Sequence, residues 1–247
     1  MSTNVNNSTA APLRDLVDTL IDESLSLLKK DRDREVVAKR HGIKSHKPHT
    51  LEQIGSQLDI TRERVRQIEK AALTKIRDQF NQENAARESV VAHLQSQGGV
   101  TQLSTLADSL KLSEAEHPSL AYLVRITPEV VLVEQTEELS PVVALVDQYD
   151  RESILELNSR LAQIVAGFGK PVKFDRLHGA VDGPHSKVAL QELASASKKL
   201  SDLEGSWGLT QWPEVNPKSI RDKTYLVLKK AGRPMHFTEI AAKIAKL

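Results

Sequence analysis

The 247-residue chain contains no cysteine. Disulfide frameworks, thiolate metal sites and cysteine nucleophiles are excluded together, and the absence fits a reducing compartment. Aromatic residues are scarce, at 4%, which argues against a single-strand-binding face built on stacking platforms. No apolar run approaches the roughly 18 residues that a membrane span requires. The N-terminus, MSTNVNNSTAAP, is polar and lacks the basic-then-apolar order of a signal peptide. The expectation is a cytoplasmic protein with no membrane partner, whose residues 1–11 form a disordered tail.

The net charge of +1 conceals a division along the chain. Residues 29–77 hold 14 Lys and Arg against 7 Asp and Glu, whereas residues 101–160 hold 4 against 11. The basic block is the candidate for meeting phosphates, because neutralising them releases counterions. The acidic block would be repelled by them and is expected to bind protein.

Leu13, Leu16, Val17, Leu20 and Ile21 have helical spacing and predict a helix running to about Lys30. A second helix carries Val36 and Val37 and stops near Gly42, a left-handed cap. The segment HGIKSHKPH (41–49) reads as an exposed basic loop, and its three histidines lack the cysteine or carboxylate partners of a metal site. Thr50 and Gln53 form a capping box, so a helix begins there. Leu51, Ile54 and Leu58 share its inner face, and Gly55 allows another helix to approach. Asp59 and Ile60 then make a turn and Thr61 is a second N-cap. Beyond it Val65, Ile68, Ala72, Leu73 and Ile76 form a buried stripe. That stripe leaves Arg62, Glu63, Arg64, Arg66, Gln67 and Lys70 outside.

A short helix, a tight turn and a longer helix with a basic outer face is the helix-turn-helix arrangement, whose second helix enters the major groove. Arg bridges guanine O6 and N7, and Gln bridges adenine N6 and N7. The candidate DNA-binding residues are therefore Thr50, Thr61, Arg62, Glu63, Arg64, Arg66, Gln67 and Lys70.

Downstream, GGVTQLSTL (98–106), GKPVKFDRL (169–177) and GRPMHFTEI (232–240) repeat one pattern. Each reads Gly, two residues on a Pro or Val, then a bulky apolar residue, a small polar residue taken as a helix cap, and finally Leu or Ile. Alternating apolar positions at 126–133 and 203–210 read as strands after the first two copies. Fixed-period similarity implies repeated structural units. The reading is two winged-helix-like units, 84–140 and 152–214, with the start of a third at 217–247. Trp207 and Trp212 fall in the second unit as core or strand residues. Catalytic chemistry is not evident: GFGKP (167–171) has neither the spacing nor the Ser or Thr of a phosphate loop, and His178, Asp182 and His185 sit in a Gly/Pro loop. No cofactor, metal or enzymatic activity is expected.

TLEQIGSQLDITRERVRQIEKAALTKIR (50–77) closely resembles region four of bacterial primary sigma factors. REVVAKRHGI (34–43) looks like the upstream helix of that family, with His41 where an aromatic is usual. The resemblance implies a domain over 12–80 that reads the −35 promoter element and docks on the flap of the RNA polymerase β subunit. Arg62, Glu63, Arg64, Arg66 and Gln67 would face bases and phosphates, and Thr50 would contact the DNA backbone. The lysine usual at the position of Ala71 is absent, and Lys70 lies one residue earlier. Nothing in the chain resembles the aromatic-rich region that captures melted promoter DNA, so a stand-alone sigma factor is not expected. The stretch 212–247 is similar to the start of a HARE-type helix-turn-helix, and to the N-terminal domain of the RNA polymerase delta subunit.

The fold class expected is mainly α, a sigma-region-four-like helix-turn-helix followed by winged-helix-type repeats with short β wings. The function expected is a DNA-binding transcription regulator whose partners are double-stranded DNA and RNA polymerase. The alternatives are a polymerase-docking protein with weak DNA binding and the DNA-binding part of a larger nucleic-acid enzyme.

Overall fold

The computed structural model describes residues 13–43, 47–79 and 85–245. The expected tail at 1–11 and His46 of the 41–49 loop lie outside the described residues. The chain is mainly helical with small sheets and divides into two compact units, Met1–Leu132 with Val143–Gln148, and Val133–Val142 with Tyr149–Leu247.

The first unit opens with α1 (Leu13–Ser26), α2 (Asp31–His41), α3 (Leu51–Leu58) and α4 (Arg62–Gln79). It continues through α5 (Ala85–Ser96), β1 (Val100–Gln102), α6 (Leu103–Ser109), α7 (His117–Ile126), β2 (Val130–Val133) and β3 (Val142–Leu145). Helix α2 has Asp31 and Asp33 in its first turn and Lys39 and Arg40 in its last, charges that complement the helix dipole. Gly42 ends it at φ 67°, donating to the carbonyls of Ala38 and Lys39.

Two hydrophobic clusters hold these helices. A small one joins Val36, Ile54, Val65 and Ile68, with Leu51, Leu58 and Ile60 packed against it. A larger one takes Val37 from α2 and Ala72 and Ile76 from α4, and combines them with α1, α5, α6 and α7. The stretches 12–80 and 84–140 thus contribute to one core. Tyr122, fully buried on α7, is central to it: its hydroxyl lies 2.8 Å from Ser24 Oγ. Ser24 Oγ donates to the Ile21 carbonyl, so the tyrosine hydroxyl is the donor between the two. Burial pushes the Tyr122 pKa up to about 12.

His41 departs from the expected exposed loop. It is the last residue of α2 and is buried, its ring 5.3 Å from that of Tyr122 and its Nε2 3.4 Å from Glu69 Oε1. An imidazole has enough flat apolar surface to pack in a core, and the contact that buries it lies on a distant helix that local helical pattern does not reveal.

The second unit contains α8 (Arg151–Phe168), β4 (Val172–Lys173), α9 (Phe174–His178), α10 (Lys187–Ala196), β5 (Leu200–Leu203), β6 (Ser206–Leu209), α11 (Ile220–Ala231) and α12 (Phe237–Ile244). Strands β4 and β5 both pair antiparallel with β6, in the registers Val172↔Trp207 and Leu200↔Leu209. Trp207 is buried there, with its ring 5.4 Å from Phe174 in an edge-on contact. The sheet orders β1-β3-β2 and β4-β6-β5 are the same, and each follows the same helix–strand–helix–helix order.

The sequence repeat has a backbone cause. Gly98, Gly169 and Gly232 all have positive φ, at 77°, 62° and 64°, and each follows the end of a helix. Helices α6, α9 and α12 then start five residues later, behind extended N-cap residues with ψ of 146°, 150° and 147°. Those N-caps are Gln102, Lys173 and His236, which make no side-chain cap. The small polar residues read as caps, Ser104, Asp175 and Thr238, lie inside the first helical turn instead. The GFGKP segment is the end of α8, with Gly169 as its left-handed cap.

Burial lowers the pKa of His41 below its ordinary 6.5; nearby Arg125 and Arg40 act in the same direction, and Glu69 opposes them. The folded state thus favours the neutral ring, while the unfolded chain takes up a proton as pH falls through about 6.5. The stability contributed by this group is full above that pH and is lost as pH falls toward the folded value. Urea unfolding is expected to give a lower free energy at about pH 5.5 than at about pH 7.5, and His41→Phe should flatten that window. A second expectation concerns α8: Leu161, fully buried, when changed to Ala should cost about 2–5 kcal/mol. Tryptophan fluorescence reads this change directly, since Trp207 and Trp212 both lie in the second unit.

Candidate nucleic-acid interface

The turn between α3 and α4 is set by contacts that begin at Thr50. Its Oγ1 accepts from the Gln53 amide at 3.2 Å, and Gln53 Oε1 accepts from the Thr50 amide at 2.9 Å. Helix α3 ends after eight residues because Asp59 turns left-handed at φ 52°. The Gly55 carbonyl accepts from the Ile60 amide at 3.0 Å, folding the chain back over the helix end. A Cβ at residue 55 would stand 2.7 Å from the Ile60 carbonyl oxygen, so only glycine fits. Thr61 Oγ1 then accepts from the Arg64 amide at 3.1 Å and starts α4.

Helix α2 braces this pair from behind. Arg32 Nη2 donates to the Leu58 carbonyl at 2.8 Å and Lys39 Nζ to Gln57 Oε1 at 2.7 Å. Arg40 Nε lies 3.4 Å from Glu69 Oε1. Although burial alone would raise the Glu69 pKa, His41, Arg40 and Arg125 together hold it below the ordinary value.

Val65 and Ile68 face inward, and Arg62, Glu63, Arg64, Arg66, Gln67 and Lys70 are all exposed. The structure therefore brings the six candidate residues of α4 onto one outer surface. Thr50 and Thr61 are also exposed, at the two helix starts, with their hydroxyl oxygens committed as acceptors and their O–H groups still able to donate. Glu63 grips Arg66 through two bonds, from Nε at 2.8 Å and Nη2 at 2.6 Å, and accepts from Gln67 Nε2 at 3.3 Å. Arg66 holds the Glu63 carboxyl below its ordinary pKa. Arg64 Nη1 donates to Gln67 Oε1 at 3.3 Å.

A shallow groove of about 670 Å³ continues along the helix past Arg66, Gln67 and Lys70 to Ala71, Thr74 and Lys75. Thr74 and Lys75 were not among the sequence candidates. Counting i+3 and i+4 steps on from Gln67 and Lys70 reaches them, so the signal was present in the spacing. His178, expected in the loop, is instead the last residue of α9, with its Nε2 3.3 Å from the His185 carbonyl oxygen; Asp182 pairs with Arg160, and the His185 ring stacks on Tyr149 with centroids 6.0 Å apart. Among the described residues no cluster of potential metal ligands occurs, and no helix is long and apolar enough to cross a membrane.

Replacing Gly55 by Ala pits a helix-propensity gain of at most about 1 kcal/mol against an overpacking cost of about 1–3 kcal/mol. The blocking atom is a backbone carbonyl, so the cost is expected to win. Urea unfolding followed by circular dichroism should show a destabilised Gly55→Ala variant; a stabilised one would mean that the turn yields freely.

Residues 30–78 match the family described as Sigma-70, region 4. Within the chain, 46 residues are 52% identical to the RNA polymerase sigma factor RpoD of Neisseria gonorrhoeae, covering 19% of this chain and 7% of that protein. The matched segment spans α2, the α3–α4 turn and the braced outer face. Residues 30–78, which fold here as a helix-turn-helix, are thus similar to sigma-70 region 4.

Proposed function

We propose that this protein is a non-enzymatic, cytoplasmic transcription regulator that reads duplex DNA with α4 and docks on RNA polymerase. The observation that carries the reading is the segment at 30–78 that matches sigma-70 region 4, in which Arg62, Glu63, Arg64, Arg66, Gln67 and Lys70 are all exposed on α4. In this role Arg64 and Gln67 address base edges, since guanidinium and carboxamide are the groups that bridge purine N7 with its neighbour. Arg62 and Lys70 meet phosphates, and the hydroxyls of Thr50 and Thr61 donate to the backbone at the two helix starts. Polymerase docking rests on the same family likeness.

The stretches 84–140 and 152–214 are read as winged-helix units, the first continued to Leu145 so that β2–β3 is its wing, and the second with β5–β6. Their common strand order and helix order support this. The stretch 212–247 is read as the start of a HARE-type helix-turn-helix, a reading supported by the α11–α12 hairpin. A winged-helix fold does not itself specify a ligand. The DNA-reading role is therefore placed on α4 alone.

The test is fluorescence anisotropy of the whole chain on a duplex carrying a −35-like site and on a scrambled duplex, across a salt series. The wild type is expected to prefer the site, and Gln67→Ala to reduce that preference by about 1–3 kcal/mol. Lys70→Ala should instead weaken binding to both duplexes and lower the salt slope by about 1. Equal affinity of the wild type for both duplexes, or a preference untouched by Gln67→Ala, would overturn the assignment of base reading to α4.

A further inference from the structure

The first two copies of the repeat end on the same backbone but with opposite charge. In each, the helix before the last two strands closes on an extended hydroxyl residue, Thr127 after α7 and Ser197 after α10. One hydrogen bond then ties the base of each strand pair. The Val146 amide donates to the Glu129 carbonyl at 2.9 Å, and the Thr210 amide to the Lys199 carbonyl at 2.8 Å. These bonds fix the correspondence residue by residue. Pro128 and Glu129 stand where the second copy has Lys198 and Lys199, and Val146 and Asp147 where it has Thr210 and Gln211. The fold therefore does not require the second base to be basic.

In the second copy these residues line a shallow groove of about 420 Å³, where Lys198, Lys199, Thr210 and Gln211 are joined by Leu209 and Lys218. Its backbone is held from several sides. Thr210 Oγ1 donates to the Lys198 carbonyl at 2.9 Å, and Asn216 Nδ2 to the Thr210 carbonyl at 2.9 Å. The side chains are less committed. Lys199 pairs with Glu138 at 2.5 Å, but the two are 41% and 46% exposed, so water screens the pair. Lys198 Nζ donates to a neutral group, the Thr136 carbonyl, at 2.8 Å. Among the described residues Lys218 and Gln211 have neither an ion pair nor a side-chain hydrogen bond. The two carboxylates nearest Lys218 in sequence are engaged elsewhere: Glu214 with Lys229 at 3.4 Å, and Asp222 with the Ser219 amide at 3.1 Å. Three ammonium groups thus share one carboxylate, and two positive charges remain. Lysine, threonine and glutamine side chains are groups that hold phosphate oxygens. An acidic protein segment would need an apolar anchor as well, and Leu209, half-buried, is the one apolar residue among the described lining.

We infer that the groove at the base of β5–β6 holds the phosphate backbone of duplex DNA, as a contact additional to α4. That the groove takes phosphate stands on its own residues; that the phosphates belong to duplex DNA rests on the proposed function. Lys198 and Lys218 supply the charge, and Thr210 and Gln211 the neutral hydrogen-bonding groups between them. Phosphate contact carries no sequence information, so the groove anchors the chain and base reading stays with α4.

The test is fluorescence anisotropy of the full chain on the −35-like and the scrambled duplex across a salt series. Changing Lys198, Lys199 and Lys218 together to Gln is expected to weaken binding to both duplexes by the same factor. The salt slope should fall by about 2, close to one for each unpaired charge, with the site preference unchanged. Changing the same three residues to Arg should restore slope and affinity, since charge carries the contact. A control variant loses equal charge at the exposed Lys111, Lys170 and Lys243, and its slope should fall by less than about 1. Circular dichroism checks that each variant keeps the fold. Three results would each overturn the inference: a Gln variant that binds the scrambled duplex like the wild type, an Arg variant as weak as the Gln variant, or a control as weak as the Gln variant. The two readings fail separately. A wild type without site preference overturns base reading by α4, while a weakened Gln variant still upholds the groove. Binding of neither duplex overturns both.

Discussion

The contact between residue 55 and the carbonyl of Ile60 controls what α4 presents. At 2.7 Å from a would-be Cβ, the carbonyl leaves room for hydrogen only, so α3 and the start of α4 come as close as backbone allows. Everything else at the turn follows from that approach: Asp59 must go left-handed, Ile60 must donate back to Gly55, and Thr61 must restart the helix. A larger side chain at 55 would move the axis of α4 and with it every exposed cation. Val36, Ile54, Val65 and Ile68 then fill the small wedge between the helices.

Helix α4 is gripped at both ends by different cores. Its first half rests on the small wedge, and Ala72 and Ile76 in its second half enter the larger core that Tyr122 organises. Arg77 adds a further tie, Nε donating to the Arg125 carbonyl at 2.6 Å. A helix of 18 residues held this way keeps its outer face at a fixed orientation. On the proposed function, such preorganisation spares the ordering cost that a mobile helix would meet on binding.

Much of this was legible because local chemistry and tertiary packing agree. The capping box at Thr50, the cap at Gly42 and the inward stripe through Val65 and Ile68 are all readable from residue spacing, and the structure has them where spacing puts them. Helix α1 stops at Ser26, short of the expected Lys30, since boundary residues carry weak signals. Strands β1 and β4, of three and two residues, are too short for alternation to register, and β3 is buried throughout and so does not alternate. The placement of His41 and the shared core of the first unit depend on side chains about 80 positions apart, such as His41 and Tyr122, and no local pattern encodes that. The outer face of α4 was legible, whereas its internal arrangement was not: that Glu63 takes Arg66 is a choice among rotamers.

That choice has its own consequence. With Glu63 holding Arg66 by both arms, this turn of the helix carries its own surrogate ligand, a carboxylate occupying the place of an incoming acceptor pair. The pair is exposed and screened by water, so an incoming group with two acceptors replaces it at little cost. On the proposed reading, the acid holds the arginine extended along the helix, with its remaining N–H donors turned to whatever approaches.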